Sequence, residues 1–109
     1  MTDEPDISND TQAKQFTARM NAETAVLDYQ FKAPVIIFTS TEVPESMRGG
    51  GVAGRLVRAA LEQSRDQGYE VVPLCPFVAG WIRRHPEFQD VVPTRFRYLI
   101  RGDLPGRNA

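Results

Sequence analysis

Three consecutive glycines, Gly49 to Gly51, stand at the head of a run whose apolar positions recur with helical spacing. Val52, Leu56 and Ala60 form one i, i+4 row, and Ala53, Val57, Leu61 and Ser64 form the next. Arg55, Arg58, Glu62, Arg65 and Asp66 fall on the other side, which predicts an amphipathic helix from about Gly51 to Gln67, stopped at Gly68. Each glycine adds conformational entropy to the unfolded chain, so a turn with no further duty would normally carry one rather than three. What three glycines achieve is a loop without Cβ atoms, whose N–H groups can close on an anion. The unpaired amides and positive dipole end of the helix converge on the same point. The stretch therefore reads as a backbone grip for a phosphate or diphosphate.

The surrounding pattern predicts how that grip is mounted. Phe16, Ala18 and Met20 alternate with polar residues over Gln15 to Met20, a half-buried strand, and Asn21-Ala22 reads as a turn. Alternation resumes through Leu27, Tyr29 and Phe31, breaks at Lys32-Ala33-Pro34, and gives way to the more buried strand Val35 to Thr39. A short fourth strand, Ser40 to Val43, would bend before Pro44. Beyond the helix, Val71 to Leu74 is a further strand, and strand–helix–strand implies a right-handed parallel crossover. Pro73 cannot donate to a ladder, which suits a strand left partly unpaired on one side. Pro76 opens a second helix over Phe77 to Arg84, which Pro86 ends. The expected fold is α/β (α+β): a mixed sheet with an antiparallel N-terminal meander, a β-α-β crossover and a short C-terminal helix.

Residues 1–13 are polar and acidic and read as disordered, 14–92 as the folded domain, and 93–109 as an extension. Within the extension, Phe96 to Ile100 could add a strand before a loose tail from Gly102 to Ala109. The 109 residues suffice for one core, and 13 basic against 14 acidic side chains give no charge excess pointing to nucleic acid. Cys75 is the only cysteine, which excludes an internal disulfide and fits a reducing compartment. No leader is visible near Met1 and no apolar run approaches the roughly 20 residues that span a bilayer. A cytoplasmic domain with no membrane, nucleic-acid or metal partner is expected.

Three phosphate-binding readings of the loop compete. Gly49-x-Gly51-x-x-Gly54 has the dinucleotide spacing, but Pro44 lengthens the turn and the following strand ends in Leu74-Cys75, without an acid for a ribose. Gly49 to Gly54 also has triphosphate-loop spacing, yet Arg55-Leu56 stands in place of the lysine and the magnesium-binding hydroxyl. Arg48-Gly49-Gly50-Gly51-Val52-Ala53 instead resembles Arg/Gln-x-x-Gly-x-Gly/Ala, the acyl-coenzyme A loop of the GNAT acetyltransferase superfamily. The element order resembles that fold as well. Similarity sharpens over Thr41-Glu42-Val43-Pro44, Val71 to Val78, Trp81-Ile82 and His85-Pro86-Glu87-Phe88, as in compact single-domain members, and it covers about Lys14 to Val92.

The resemblance implies an N-acetyltransferase that uses acetyl-CoA (coenzyme A) as cosubstrate and an unidentified amine as acceptor, with a non-catalytic acetyl-CoA-binding or acetyl-sensing module as the alternative. It would place the pantetheine arm between Ser40–Val43 and Val71–Leu74, and the diphosphate on amides of Gly49, Gly50, Gly51, Val52 and Ala53 beside Arg48. Backbone N–H groups near Glu42 or Val43 would polarise the thioester carbonyl. Three side chains are catalytic candidates. Cys75 is either a nucleophile favoured by the helix start after it or a small buried cysteine. Glu42 is either a proton relay through water or a solvated strand-end charge. His85, the only histidine, is either an acid–base group or a helix cap. Ser40 stands where compact relatives often carry histidine, a departure from any fixed catalytic set, and helical spacing makes Phe77 and Trp81 core residues. A full GNAT domain builds its acceptor pocket from further strands, so the acceptor site here is expected to be open, shared with a partner subunit, or absent, in a chain that is a monomer or a homodimer.

Overall fold

Alternating burial turns the segment before the glycines into an antiparallel meander. A computed structural model describes residues 4–101; the expected tail over Gly102 to Ala109 lies outside the described residues. The strands are β1 (Asp6–Asp10), β2 (Gln15–Met20), β3 (Glu23–Lys32), β4 (Val35–Glu42) and β5 (Glu70–Pro73), with helices α1 (Val52–Asp66) and α2 (Pro76–Arg84). They form one sheet in the order β1-β2-β3-β4-β5, antiparallel except for the β4–β5 pair. Asn21, at φ 60°, turns the β2–β3 hairpin. α1 crosses from β4 to β5, so the mixed α+β class and the crossover are as expected from the sequence.

One sheet face carries the core. Ala25, Leu27 and Tyr29 alternate inward on β3, and register sets Phe16 opposite Leu27, Ala18 opposite Ala25, and Phe38 opposite Tyr29. Leu56, Val57, Ala60 and Leu61 of α1 are fully buried in the same cluster. Phe16, Tyr29 and Phe38 pack as an aromatic triangle with centroids 5.4, 6.2 and 6.1 Å apart.

Three local expectations are corrected. Residues 6–10, expected to be disordered, form β1. Ile7 packs on the core, Ser8 shares a hydrogen bond with Thr17, and the Tyr29 hydroxyl donates to Asn9 at 2.7 Å. Asn9 in turn donates to Gln63 on α1 at 3.0 Å, so polar side chains tie down what composition alone reads as loose. The strand expected over Phe96 to Ile100 is a 3-10 segment, Thr94–Ile100, closed by Arg97 donating to the Val92 carbonyl at 2.7 Å. Finally, Ser40 to Glu42 is no separate strand but the continuation of β4.

Tyr29 supplies a pH prediction. Burial pushes its hydroxyl above the ordinary tyrosine value. The unfolded chain then ionises first, so stability is fully present below pH about 10 and declines as pH rises beyond it. Urea titrations should show wild type more stable than Tyr29→Phe near neutrality, with the gap narrowing above pH ~10; a constant gap would contradict the assignment.

Candidate functional site

The site begins where β4 outruns β5. Val35 pairs with Glu70 and Phe38 with Pro73, where β5 stops, while β4 runs on to Glu42. Thr39 is the extra residue of a bulge, since Tyr29 lies opposite Phe38 but Asp28 opposite Ser40. The Cys75 N–H donates to the Phe38 carbonyl at 2.9 Å, and beyond that bond the chains part. Thr41 Oγ1 and Cys75 Sγ share a hydrogen bond at 3.2 Å across the opening. The bulge and the proline thus leave a stretch of β4 backbone without a neighbour on the β5 side.

The glycine loop closes one end of this wedge. A short 3-10 turn, Glu45–Met47, buries Met47, and Arg48 Nε donates to the Val43 carbonyl at 3.1 Å. Gly49 and Gly51 hold φ of 88° and 82°, a region costly to any residue with a Cβ. Gly51 is the N-cap of α1 and no side chain caps that end, so the first amides of the helix stay free of side-chain acceptors.

Together these elements border a cleft of about 500 Å³. β4 contributes Thr41, the segment just after it Val43, the turn and glycine loop Met47, Arg48, Gly49 and Gly51, α1 Ala53 and Gly54, and α2 Phe77, Trp81 and Arg84. The lining holds two arginines and no carboxylate, so its field favours an anion. A second cavity of about 360 Å³ lies at the other end of α1, between Asn9, Tyr29, Gln63 and Tyr69, and none of Arg48 to Ala53 lines it.

Of the residues singled out in the sequence, Val43, Arg48, Gly49, Gly51 and Ala53 border the cleft. Gly50 and Val52 do not; Val52 is buried in the core. Glu42 is exposed at the end of β4 with its backbone paired to Val26. Cys75 is buried as the N-cap of α2, against Thr41. His85 lies outside the cleft lining, at the far end of α2. Its Nδ1 donates to the Trp81 carbonyl at 2.7 Å, and its ring stacks on the indole at 3.7 Å, so it caps the helix and braces Trp81. Phe77 is not core: it is 38% exposed at the cleft rim, whereas Trp81 is buried but also reaches the cleft. Thr41 lies in the Ser40–Val43 stretch expected to face the pantetheine arm, whereas Met47, Gly54 and Arg84 border the cleft without any expectation from the sequence. Only the i, i+4, i+7 spacing of Phe77, Trp81 and Arg84 could have signalled one shared face of α2.

No helix among the described residues is long and apolar enough to cross a membrane. A family model described as GCN5-related N-acetyl-transferase matches residues 15–91. Protein NATD1 of Gallus gallus and Protein NATD1 of Mus musculus are each 30% identical over 83 residues, 73% of this chain and 76% of theirs. Protein NATD1 of Homo sapiens is 30% identical over 83 residues, 73% of this chain and 74% of its own. Domains of the matched family generally use acetyl-CoA. The matched span runs from β2 through the glycine loop to the segment after α2, and the chain belongs to the GCN5-related N-acetyltransferase (GNAT) superfamily as one of its compact domains.

Proposed function

We propose that this chain binds acetyl-CoA in the wedge between β4 and α2 and transfers its acetyl group to an amine. One observation carries the reading: an uncapped, glycine-built helix start and a parted strand pair open into one cleft that holds arginines and no acid. The diphosphate would rest on amides from Gly49 to Ala53, with Arg48 adding charge. The pantetheine arm would pair with the unpartnered edge of β4 near Thr41 and Val43, which brings the thioester toward Cys75.

Transfer requires a neutral amine to attack the thioester carbonyl, the amine proton to leave, and coenzyme A to depart as its thiol. Backbone N–H near Glu42 and Val43 would stabilise the oxyanion, and Glu42, exposed to water, would pass the proton outward. A relay through Cys75 also balances. Its thiolate attacks the thioester, coenzyme A leaves, and the amine then takes the acetyl group from sulfur. The 3.2 Å contact between Thr41 Oγ1 and Cys75 Sγ sets that sulfur at the mouth of the parted strands.

A second reading, binding without turnover, draws on the absence of any carboxylate or imidazole from the cleft lining. Calorimetry with acetyl-CoA tests the common ground, since a chain that takes up no acetyl-CoA at high micromolar ligand fits neither reading. Acceptor-dependent release of free thiol across a panel of amines then separates them. Mass spectrometry before amine is added should find an acetyl adduct on Cys75 only if the relay operates.

A further inference from the structure

We infer that the indole N–H of Trp81, left uncovered by Gly54, donates a hydrogen bond to a diphosphate oxygen of the ligand that the glycine loop holds, which rests on the acetyl-CoA reading above. Trp81 is only 5% exposed, yet it borders the cleft. Its side chain finds no acceptor among the described residues: the one side-chain bond at this residue is that of its carbonyl with His85. Buried indole N–H groups ordinarily find a partner. Nε1 is not among sealed, unsatisfied atoms either, so it opens on the cleft.

The donor is held rigidly. His85 stacks on the ring at 3.7 Å with 9° between planes, Phe88 packs at 5.3 Å, and the Arg58 guanidinium lies 5.3 Å from the ring centre. A donor fixed before binding loses little entropy when a ligand arrives. Gly54 explains the clearance. A Cβ there would stand 3.3 Å from Nε1 and 3.9 Å from Cδ1. After proline, glycine is the least favourable residue within a helix, and Gly54 lies outside the Arg48–Ala53 loop motif, so the loop does not account for it.

Chemistry narrows the ligand atom. An indole N–H donates only, the neighbouring α1 amides donate only, and Arg48 and Arg84 add positive charge to the same lining. Such a surface selects an anionic acceptor, and the α1 start identifies it as the diphosphate rather than the amide-bearing arm.

The chain has one tryptophan, so a proton–nitrogen correlation spectrum shows a single indole resonance. Titration with acetyl-CoA and with inorganic pyrophosphate should shift that resonance and the Gly49 to Ala53 amides together, while pantetheine leaves it in place. Trp81→Phe keeps the ring but removes the donor, and should weaken acetyl-CoA binding about tenfold or more. Gly54→Ala, which keeps the tryptophan, should weaken binding too and move the indole resonance before ligand is added. If acetyl-CoA shifts the loop amides but not the indole, and Trp81→Phe binds like wild type, the inference falls and the acetyl-CoA reading stands. A response to pantetheine alone overturns the diphosphate assignment. Silence of both loop and indole toward acetyl-CoA overturns inference and reading together.

Discussion

Gly51→Glu is expected to weaken acetyl-CoA binding by about a hundredfold or more while leaving a folded domain. Gly51 sits at φ 82°, ψ 4° as the N-cap of α1, and a Cβ there would meet nothing within 4 Å. The fold therefore suffers no clash; the backbone strain costs roughly 1–2 kcal/mol. Binding suffers more, because a carboxylate is planted among amides that would otherwise hold the diphosphate. Two controls separate the causes. Gly51→Ala brings the strain without the charge and should reduce affinity only modestly. Gly50→Ala should be nearly neutral, since Gly50 has no positive φ and its Cβ would approach only the Met47 carbonyl, at 3.8 Å. Calorimetry on the three variants, with melting curves to confirm folding, gives the ranking; Gly51→Glu binding as tightly as wild type would remove the loop from the site.

Elements with an apolar period were legible, because burial on one face imprints that period on the sequence. α1 and β2 are the cases: rows at Val52, Leu56, Ala60 and at Phe16, Ala18 land on the core. β1 was not legible. Its only apolar residue is Ile7, and what orders it is the chain of bonds from Tyr29 through Asn9 to Gln63, made across long sequence separations. Thr94–Ile100 deceived in the other sense: its aromatic and aliphatic content suggests a strand, but Pro93 precedes it and Arg97 turns back on the Val92 carbonyl. At the site, the loop could be read because its residues are contiguous. The α2 wall could not, since which face of a short helix borders the cleft depends on how α2 packs against β4 and α1. Phe77 and Trp81 share a helical stripe that looks like core, yet one is at the rim and the other opens a donor into the cleft. His85 drew attention as the only imidazole, and the fold uses it to cap α2 and brace that donor.

Phe38→Ala should produce the largest loss of stability, about 3–5 kcal/mol, against the ~5–15 kcal/mol typical of a whole small domain. Phe38 has no exposed surface and touches both Phe16 and Tyr29, so its ring cannot be replaced by water or by a neighbour swinging in. It also occupies a structural junction. Its strand position pairs with Tyr29 on one side and Pro73 on the other, and its carbonyl accepts the Cys75 N–H at the point where β4 and β5 part. A cavity there would loosen the base of the cleft as well as the core, so acetyl-CoA affinity should fall in the fraction that still folds. Phe77→Ala is the matched comparison: the same side chain is lost from a site 38% exposed at the cleft rim, and stability should change by under about 1 kcal/mol. Urea unfolding followed through the single tryptophan reads both variants in one experiment. A Phe38→Ala domain less than about 1 kcal/mol weaker than wild type would mean that the aromatic triangle does not anchor the sheet.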